Sequence, residues 1–175
     1  MKKYHAAFRP YLNDLAARSP SPGGGSAVCL FVCLGISLIE KAIQYSLIPR
    51  GAVPSRSLRG ALRIMGARRK KIALLVDRDG YFFAKIMTTR EKARARWLTK
   101  SEQLIVEVGK SSREVFLLAK EIESGIKKGI MSDFLIGLDA LRLALNGCAY
   151  NLETNEALFG RKSTYAPIFK RYATH

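Results

Sequence analysis

Histidine is nearly absent from this sequence and cysteine is rare, which limits the chemistry that the protein can perform. The only two histidines among 175 residues are His5 and His175, near opposite ends of the sequence. Neither a histidine-based catalytic triad nor a histidine metal site is therefore expected. Cys29 and Cys33 lie four residues apart with no further ligand nearby to complete a zinc set. We expect free thiols in the core, a reducing compartment and no metal, so acid–base chemistry must use carboxylates, lysines, tyrosines or cysteines.

Acidic residues are also few. The sequence has 14 Asp and Glu against 30 Lys and Arg, which gives a formal net charge of +16 and an isoelectric point near 10.1. Such an excess favours a polyanionic partner, either nucleic acid, an anionic membrane surface or a highly charged small molecule. Between Lys41 and Asp77 there is no acidic residue and there are eight basic ones: Arg50, Arg56, Arg59, Arg63, Arg68, Arg69, Lys70 and Lys71. A well-solvated surface helix gives the same pattern, so charge alone leaves both interpretations open.

Long apolar runs are missing as well. The longest uncharged stretch in the first half covers residues 19–39, but only residues 27–39 are strongly apolar. As a helix they would rise about 20 Å, short of the roughly 30 Å hydrocarbon core of a bilayer. We expect a buried central helix and no membrane span. A secretory signal is not expected either, because the run lies far from Met1 and continues into Glu40 without a small-residue cleavage site, so a cytoplasmic location is predicted.

The remaining sequence is predominantly helical in its periodicity, and 48% of the residues are hydrophobic. These features predict one all-α domain over residues 1–175, an antiparallel bundle of about five to six helices. Ser132 is the expected N-cap of the last long helix, and Gly109 the expected site of a break or kink. The predicted helices cover about residues 2–17, 26–48, 56–87, 91–128 as one kinked helix or two, and 132–159.

The third predicted helix carries the leading catalytic candidate. Steps of three and four trace one apolar seam along this helix, and two charged residues, Arg69 and Asp79, interrupt it. A carboxylate on a core-facing seam has a raised pKa, which suits a general acid or base. The alternative is structural, with Asp79 as the partner of Arg69 or of a cation on another helix.

A glycine-rich segment precedes the second helix. Residues 19–26 read Ser-Pro-Ser-Pro-Gly-Gly-Gly-Ser, and the glycines leave backbone N–H groups open to a close-lying ligand. The pattern favours a loop that binds an anion or a polar ring edge over a flexible link. It is neither a Walker nor a Rossmann loop, because no Lys follows the glycines and no strand precedes them. The candidate binding residues are Pro22, Gly23, Gly24, Gly25 and Ser26.

This segment resembles the signature of the cyclodeaminase/cyclohydrolase family, which includes the C-terminal domain of formiminotransferase-cyclodeaminase and stand-alone methenyltetrahydrofolate cyclohydrolases. Residues 74–87, with Asp79 followed by aromatic residues, are similar to the family's third-helix block. Residues 129–133 resemble its Ser-Asp helix start, and Asn151 with Leu152 its Asn-Leu close. The resemblance extends from about residue 11 to residue 159.

The resemblance implies an all-helical domain that forms at least a homodimer and handles a one-carbon unit on tetrahydrofolate, with no metal or redox cofactor. Cyclodeamination closes 5-formimino-tetrahydrofolate to the 5,10-methenyl compound with loss of ammonia. Cyclohydrolysis adds water to the methenyl bridge and gives the 10-formyl compound. The enzyme would thus be an ammonia lyase or a C–N hydrolase.

The resemblance also implies roles for individual residues. Residues 23–26 would hold a polar part of the ligand, Asp79 would move the proton, and Asp133 would assist or position water. Ser132 and Asn151 are further ligand-binding candidates. Arg56, Arg59 and Arg63, with Lys70 further along the same helix, form a row of basic residues that matches the charge of a polyglutamylated folate tail. The alternative function is a non-catalytic basic helical protein that binds nucleic acid or a protein partner, with Tyr81, Phe82 or Trp97 stacking on bases.

Overall fold

The computed structural model describes residues 3–47 and 55–174, and within these ranges it contains helices and no β-strand. The all-α prediction is confirmed, with seven α-helices in the described residues instead of five to six. They are α1 (Tyr4–Ala16), α2 (Gly24–Ser46), α3 (Ser55–Ala73), α4 (Leu75–Thr88), α5 (Glu91–Ile122), α6 (Met131–Phe159) and α7 (Ala166–Thr174). Two short 3₁₀ turns, Glu123–Gly125 and Lys128–Ile130, connect α5 to α6.

An antiparallel pair, α2 and α6, forms the centre of the bundle. Gly24 at the start of α2 lies beside Asn151 near the end of α6, and Lys41 near the end of α2 contacts Asp133 at the start of α6. At the middle of the pair a Cβ on Gly35 would lie 2.8 Å from the carbonyl oxygen of Gly137. Glycine is required there because the two backbones are in direct contact.

This close approach gives a stability prediction with an internal control. Gly35→Ala should lower the free energy of unfolding by about 1–3 kcal/mol, since the helices must separate to admit the methyl group. Gly60→Ala should raise it by about 0.5–1 kcal/mol, because Gly60 lies within α3 with nothing within 4 Å of the added Cβ. Urea unfolding of both variants measures the two effects. Equal effects would show that the contact between α2 and α6 is looser than described.

The predicted helix over residues 56–87 is two helices, with the break at Leu74. The backbone of Leu74 stays in the right-handed helical region, with φ −72° and ψ −15°. The interruption is therefore confined to one residue that keeps helical backbone torsion angles, and hydrophobic periodicity does not reveal so small a break. The faces of α3 continue onto α4 in register.

The predicted break at Gly109 is wrong, since α5 runs through it without interruption. A Cβ on Gly109 would lie 2.4 Å from ring atoms of Phe169, so this glycine admits an aromatic ring from α7. The sequence analysis did not predict α7, whose Ala166 and Phe169 are buried against the bundle.

The last long helix ends at Phe159 as predicted, with Gly160 in the left-handed region at φ +67°. Its start differs from the prediction. Ile130 occupies the N-cap position, and Ser132 lies exposed within the first turn.

Helix α2 has 23 residues and a mean hydropathy of 2.0 in its most apolar window, so it could cross a membrane by length and composition. It is longer than the strongly apolar run of residues 27–39, because residues 24–26 and 40–46 are helical too. Of this window, 56% is buried inside the protein, where Val32, Ile36 and Ile39 are fully enclosed. A core helix meets the same criteria, and α2 occupies the core of the bundle.

Candidate functional site

The glycine-rich loop ends at the N-terminus of α2, where backbone amides are unsatisfied by the helix itself. Gly23 occupies the N-cap position in an extended conformation, and no side chain caps the helix. The amide of Ser26 instead donates a hydrogen bond to the carboxylate of Asp79. The α2 N-terminus and α4 therefore meet at one carboxylate.

Asp79 is half-buried on the inner side of α4, as the seam predicted. Its carboxylate lies so close to Gly25 that a Cβ there would be 2.2 Å from Oδ1. Burial raises the pKa of Asp79 above its ordinary value, and the Ser26 hydrogen bond offsets part of that increase. No cation forms an ion pair with Asp79 among residues 3–47 and 55–174.

Arg69, the alternative partner of Asp79, is paired elsewhere. Its Nε lies 2.6 Å from Oε2 of Glu40, a buried residue of α2. The structural interpretation of Asp79 as the counterion of Arg69 is therefore wrong. Asp79 is left as a partly buried carboxylate held by a backbone amide.

A second glycine fixes the loop against α4. Gly80 is buried, and a Cβ on it would lie 1.8 Å from Oγ of Ser21. Ser21 thus rests on the α4 backbone directly beside Asp79. Because Gly25 and Gly80 have no side chains, the glycine-rich loop can pack directly against α4 and the carboxylate of Asp79.

Helix α1 reaches the site through one hydrogen bond. The hydroxyl groups of Tyr11 and Ser26 are 3.0 Å apart, and Ser26 is only 1% exposed. Helix α1 itself has no buried residue. Tyr11 therefore connects this peripheral helix to the same turn of α2 that contacts Asp79.

Cys29, one turn further along α2, is not a nucleophile. Burial, with a smaller contribution from the carboxylate of Asp79, raises the pKa of the Cys29 thiol to about 12. The thiolate, which is the reactive form, is not populated at neutral pH. All three cysteines are free, and Cys29 and Cys148 pack in the core as expected.

Asp79, the loop and α6 enclose a cavity of about 170 Å³. Asn151 belongs to it, and its side-chain oxygen would lie 3.3 Å from a Cβ on Gly24. The wall combines one carboxylate, two amides, two hydroxyl groups, backbone at the α2 N-terminus and apolar side chains. The lining residues are Pro20, Gly23, Gly24, Gly25, Asp79, Phe83, Ser101, Ile105, Asn151, Thr154, Asn155 and Leu158.

The sequence analysis did not identify several of these residues. Phe83 follows Asp79 by four positions on α4, and Asn155 follows Asn151 by four positions on α6, so helical spacing places each pair on one face. That spacing was available in the sequence. Ser101 and Ile105 of α5 could not be found in this way, because only the packing of α5 against the site brings them there.

Asp133 and Ser132 lie at the opposite end of the α2–α6 pair. Asp133 Oδ2 is 2.5 Å from Nζ of Lys41, and this hydrogen bond raises the pKa of Lys41. Lys41 is sixteen residues beyond Gly25 on α2, a distance of about 24 Å along the helix. Within one chain, the structure does not bring Asp133 and Asp79 to the same reacting atom.

Arg56, Arg59 and Arg63 are exposed on α3, and none lines the cavity. They point away from the buried face of α3, which carries Leu58 and Met65. The cavity therefore does not include the expected contact between these arginines and the tail of a bound folate.

A larger cavity, of about 550 Å³, lies between α3, α5 and the segment before α7. Its three carboxylates are neutralised by ion pairs, since Glu107 pairs with Lys71, Glu114 with Arg68 and Glu102 with Arg161. It contains no group comparable to Asp79. In residues 3–47 and 55–174 no cluster of three His, Cys, Asp or Glu side chains could hold a metal ion.

The comparisons with known proteins agree with the all-helical fold. The family model for formiminotransferase-cyclodeaminase matches residues 7–170. A solved structure of formiminotetrahydrofolate cyclodeaminase from Thermotoga maritima is similar in fold, with a TM-score of 0.80 at 16% sequence identity. The similarity covers 95% of this chain and 85% of that one. Among curated protein sequences, none matches this chain.

Proposed function

The chain belongs to the formiminotransferase-cyclodeaminase family, and from this premise we propose that it closes 5-formimino-tetrahydrofolate to 5,10-methenyl-tetrahydrofolate with release of ammonia. The observation that carries the proposal is the half-buried carboxylate of Asp79, which faces the cavity and has a raised pKa. Family membership favours this folate chemistry over the alternative of a non-catalytic basic protein as the main function. Cyclohydrolysis of the methenyl product is the related reaction that the same assay detects.

Starting from the protonated, cationic formimino group, the reaction needs one proton removed and one proton supplied, and it gives the cationic methenyl product and neutral ammonia. N10 attacks the formimino carbon and forms the new C–N bond, the C=N electron pair moves to the outer nitrogen and makes it an amino group, and the N10 proton must leave. The resulting tetrahedral carbon then loses its amino group, which departs as ammonia after accepting a proton. Asp79 as the carboxylate takes the first proton and as the acid gives the second, so the enzyme returns to its starting state. A raised pKa suits a group that must do both.

The other cavity residues bind and orient the substrate. Backbone amides at the α2 N-terminus favour the electron-rich ring edge of the pterin. The side-chain amides of Asn151 and Asn155 offer both donors and acceptors. The cavity is smaller than the 300–1,000 Å³ typical of sites that enclose a drug-sized ligand, so only the pterin end enters. The rest of the folate, including a polyglutamate tail, lies on the basic surface without a fixed subsite in this proposal.

The assay that tests the proposal follows absorbance of the methenyl product and ammonia release together. The purified protein is supplied with 5-formimino-tetrahydrofolate, and spontaneous conversion is subtracted. Equimolar methenyl compound and ammonia above background support cyclodeamination. Decay of supplied methenyl-tetrahydrofolate above its spontaneous rate would assign cyclohydrolysis instead. No change in either assay would refute a folate C–N activity.

The outer face of α6 supports a homo-oligomer, as the resemblance implies. Ile136, Leu143 and Tyr150 are half exposed or more and recur every seven residues, a spacing typical of a helix that packs on another helix. Leu158, at the end of the same stripe, also lines the cavity. A second copy seated on this stripe would border the site.

We expect Leu143→Asp to convert the oligomer to a monomer. A charge at the centre of an apolar helix contact costs several kcal/mol of association energy, enough to dissociate a micromolar dimer. Light scattering after gel filtration measures the mass. Met87→Asp is the control, because Met87 is at least as exposed as Leu143 but lies on α4. A monomeric wild type would contradict the prediction.

A further inference from the structure

Most of the positive charge of this protein serves neither the cavity nor the ion pairs. The sequence has 30 Lys and Arg, and ion pairs among the described residues use eight of them. No Lys or Arg lines the cavity around Asp79. The excess charge therefore needs an explanation beyond the chemistry at Asp79.

Six of the unpaired cations lie on one face of α3 and α4. We call them the basic stripe: Arg56, Arg59, Arg63, Lys70, Arg78 and Lys85. Counted from the first, they follow after 3, 7, 14, 22 and 29 residues, which are close to whole helical turns. The helical backbone at Leu74 carries this register from α3 to α4. The stripe is thus about 44 Å long.

The stripe faces solvent along its length. Its first five residues are exposed and Lys85 is half-buried, whereas the opposite face buries Leu58, Met65, Ile72, Leu75 and Ile86. Helix α3 has no acidic residue. Helix α4 has two: Asp79 points inward, and Asp77 is exposed next to the stripe. No carboxylate of the described residues forms an ion pair with any member of the stripe.

Aromatic rings accompany the cations at the α4 end. Tyr81 lies on the stripe between Arg78 and Lys85 and is 53% exposed. Its ring centroid is 5.6 Å from that of Trp97, and Phe82 is 6.0 Å from both. Lys85 lies 5.5 Å from the centre of the Tyr81 ring, and Lys100 lies 4.7 Å from that of Trp97. Cations for phosphates thus surround a solvent-facing ring on which a base can stack.

We propose that this surface binds single-stranded nucleic acid, with phosphates along the basic stripe and a base stacked on Tyr81. Single-stranded binding sites combine a cationic track with aromatic platforms in this way. A membrane surface fits less well. An interfacial helix inserts its apolar face into the bilayer, and the apolar face of α3 and α4 is packed in the protein core.

The test compares two oligonucleotides of equal charge. A fluorescein-labelled dT20 and an abasic strand of the same length are titrated with the protein between 50 and 300 mM KCl, and anisotropy reports binding. Log K should fall linearly with log salt, by roughly 0.7 for each phosphate contact. Tyr81→Ala should weaken binding of dT20 by roughly 5-fold or more and leave binding of the abasic strand unchanged, because only dT20 has bases to stack.

The role of the stripe is tested with two variants that have the same net charge. The quadruple variant Arg56→Gln, Arg59→Gln, Arg63→Gln and Lys70→Gln should reduce affinity for both strands by roughly 10-fold or more at 100 mM KCl and flatten the salt dependence. The control replaces Arg9, Arg18, Lys128 and Arg171 by Gln, which are exposed but lie off the stripe, and should change affinity less than 3-fold. Circular dichroism and thermal melting verify that both variants fold.

Three results would overturn the proposal. The first is no binding of either oligonucleotide at 50 mM KCl. The second is an equal loss in the stripe variant and its control, which would assign binding to overall charge. The third is stripe-dependent binding to phosphatidylcholine vesicles with 20% phosphatidylserine but not to dT20, which would assign the stripe to a membrane surface.

Discussion

Asp79→Asn is expected to reduce cyclodeaminase turnover by about 10²–10⁴-fold, the range that general acid–base catalysis contributes. Asn can still accept the hydrogen bond from the Ser26 amide, so the site should keep its shape. It can neither take the N10 proton nor give one to the departing amine. Steady-state formation of the methenyl product gives kcat, and an unchanged KM would show that the substrate still binds.

Asp133→Asn is the matched control for this prediction. The substitution is chemically identical, but Asp133 pairs with Lys41 at the far end of α2. Because Lys41 is exposed and solvent screens this ion pair, its loss should change stability little, and turnover should stay within a factor of about three. If Asp133→Asn abolished turnover and Asp79→Asn did not, the catalytic assignment would be reversed.

Asp79→Asn should also stabilise the fold, increasingly so as pH rises. Burial raises the pKa of Asp79 above its ordinary 3.8, so the folded state holds the proton to higher pH than the unfolded state does. The stability that this group contributes is complete below the unfolded pKa and is lost as pH rises through the folded pKa. Asn has no such loss. The melting-temperature gain of the variant should therefore be larger at pH 7.5 than at pH 4.5.

The activity of the wild type should follow the same carboxyl group. The first step needs the carboxylate, so kcat should fall as pH decreases through the raised pKa of Asp79, above the range of an ordinary aspartate. A pH profile that is flat down to pH 4, together with a variant that gains no stability at pH 7.5, would remove the physical basis for Asp79 as the acid–base group.

Helical periodicity was sufficient to predict the fold class and the inward orientation of Asp79. Both depend on which face of a helix is apolar, and a single sequence contains that information. The sequence also predicted correctly that the glycine-rich loop leads directly into the central helix α2. The error at Gly109 arose because glycine is common both at helix breaks and at close contacts, and only the position of Phe169 distinguishes the two.

The composition of the site was less accessible. The sequence indicated a position for each aspartate, Asp133 at a helix start and Asp79 on the apolar seam. It does not show that the two lie at opposite ends of the antiparallel pair α2 and α6. The packing of α5 brings Ser101 and Ile105 to the cavity across tens of residues. Arg69 forms its ion pair with Glu40 across the contact between α2 and α3, and no local sequence pattern shows this. Local chemistry was predictable, and its assembly in space was not.

Gly25→Ala is expected to inactivate the enzyme almost as completely as loss of Asp79, although no functional group is removed. The new Cβ would lie 2.2 Å from Oδ1 and 2.4 Å from Cγ of Asp79, so the carboxylate must move. It would lose the Ser26 amide and its position in the cavity. A shift of about 1 Å in a catalytic group costs about 10²-fold in rate, and the overpacking itself costs about 1–3 kcal/mol of stability.

Gly23→Ala separates this steric effect from a general need for flexible glycines in the loop. Gly23 has φ −138°, which alanine adopts without strain, and its added Cβ would approach no atom more closely than the Pro20 carbonyl oxygen at 3.9 Å. This variant should keep most of its activity and lose only a little stability, because alanine is a poorer N-cap residue than glycine. Because Gly25→Ala leaves the carboxyl group chemically intact, its effect should fall mainly on kcat. Equal losses in both variants would indicate that loop flexibility, and not the contact between Gly25 and Asp79, determines turnover.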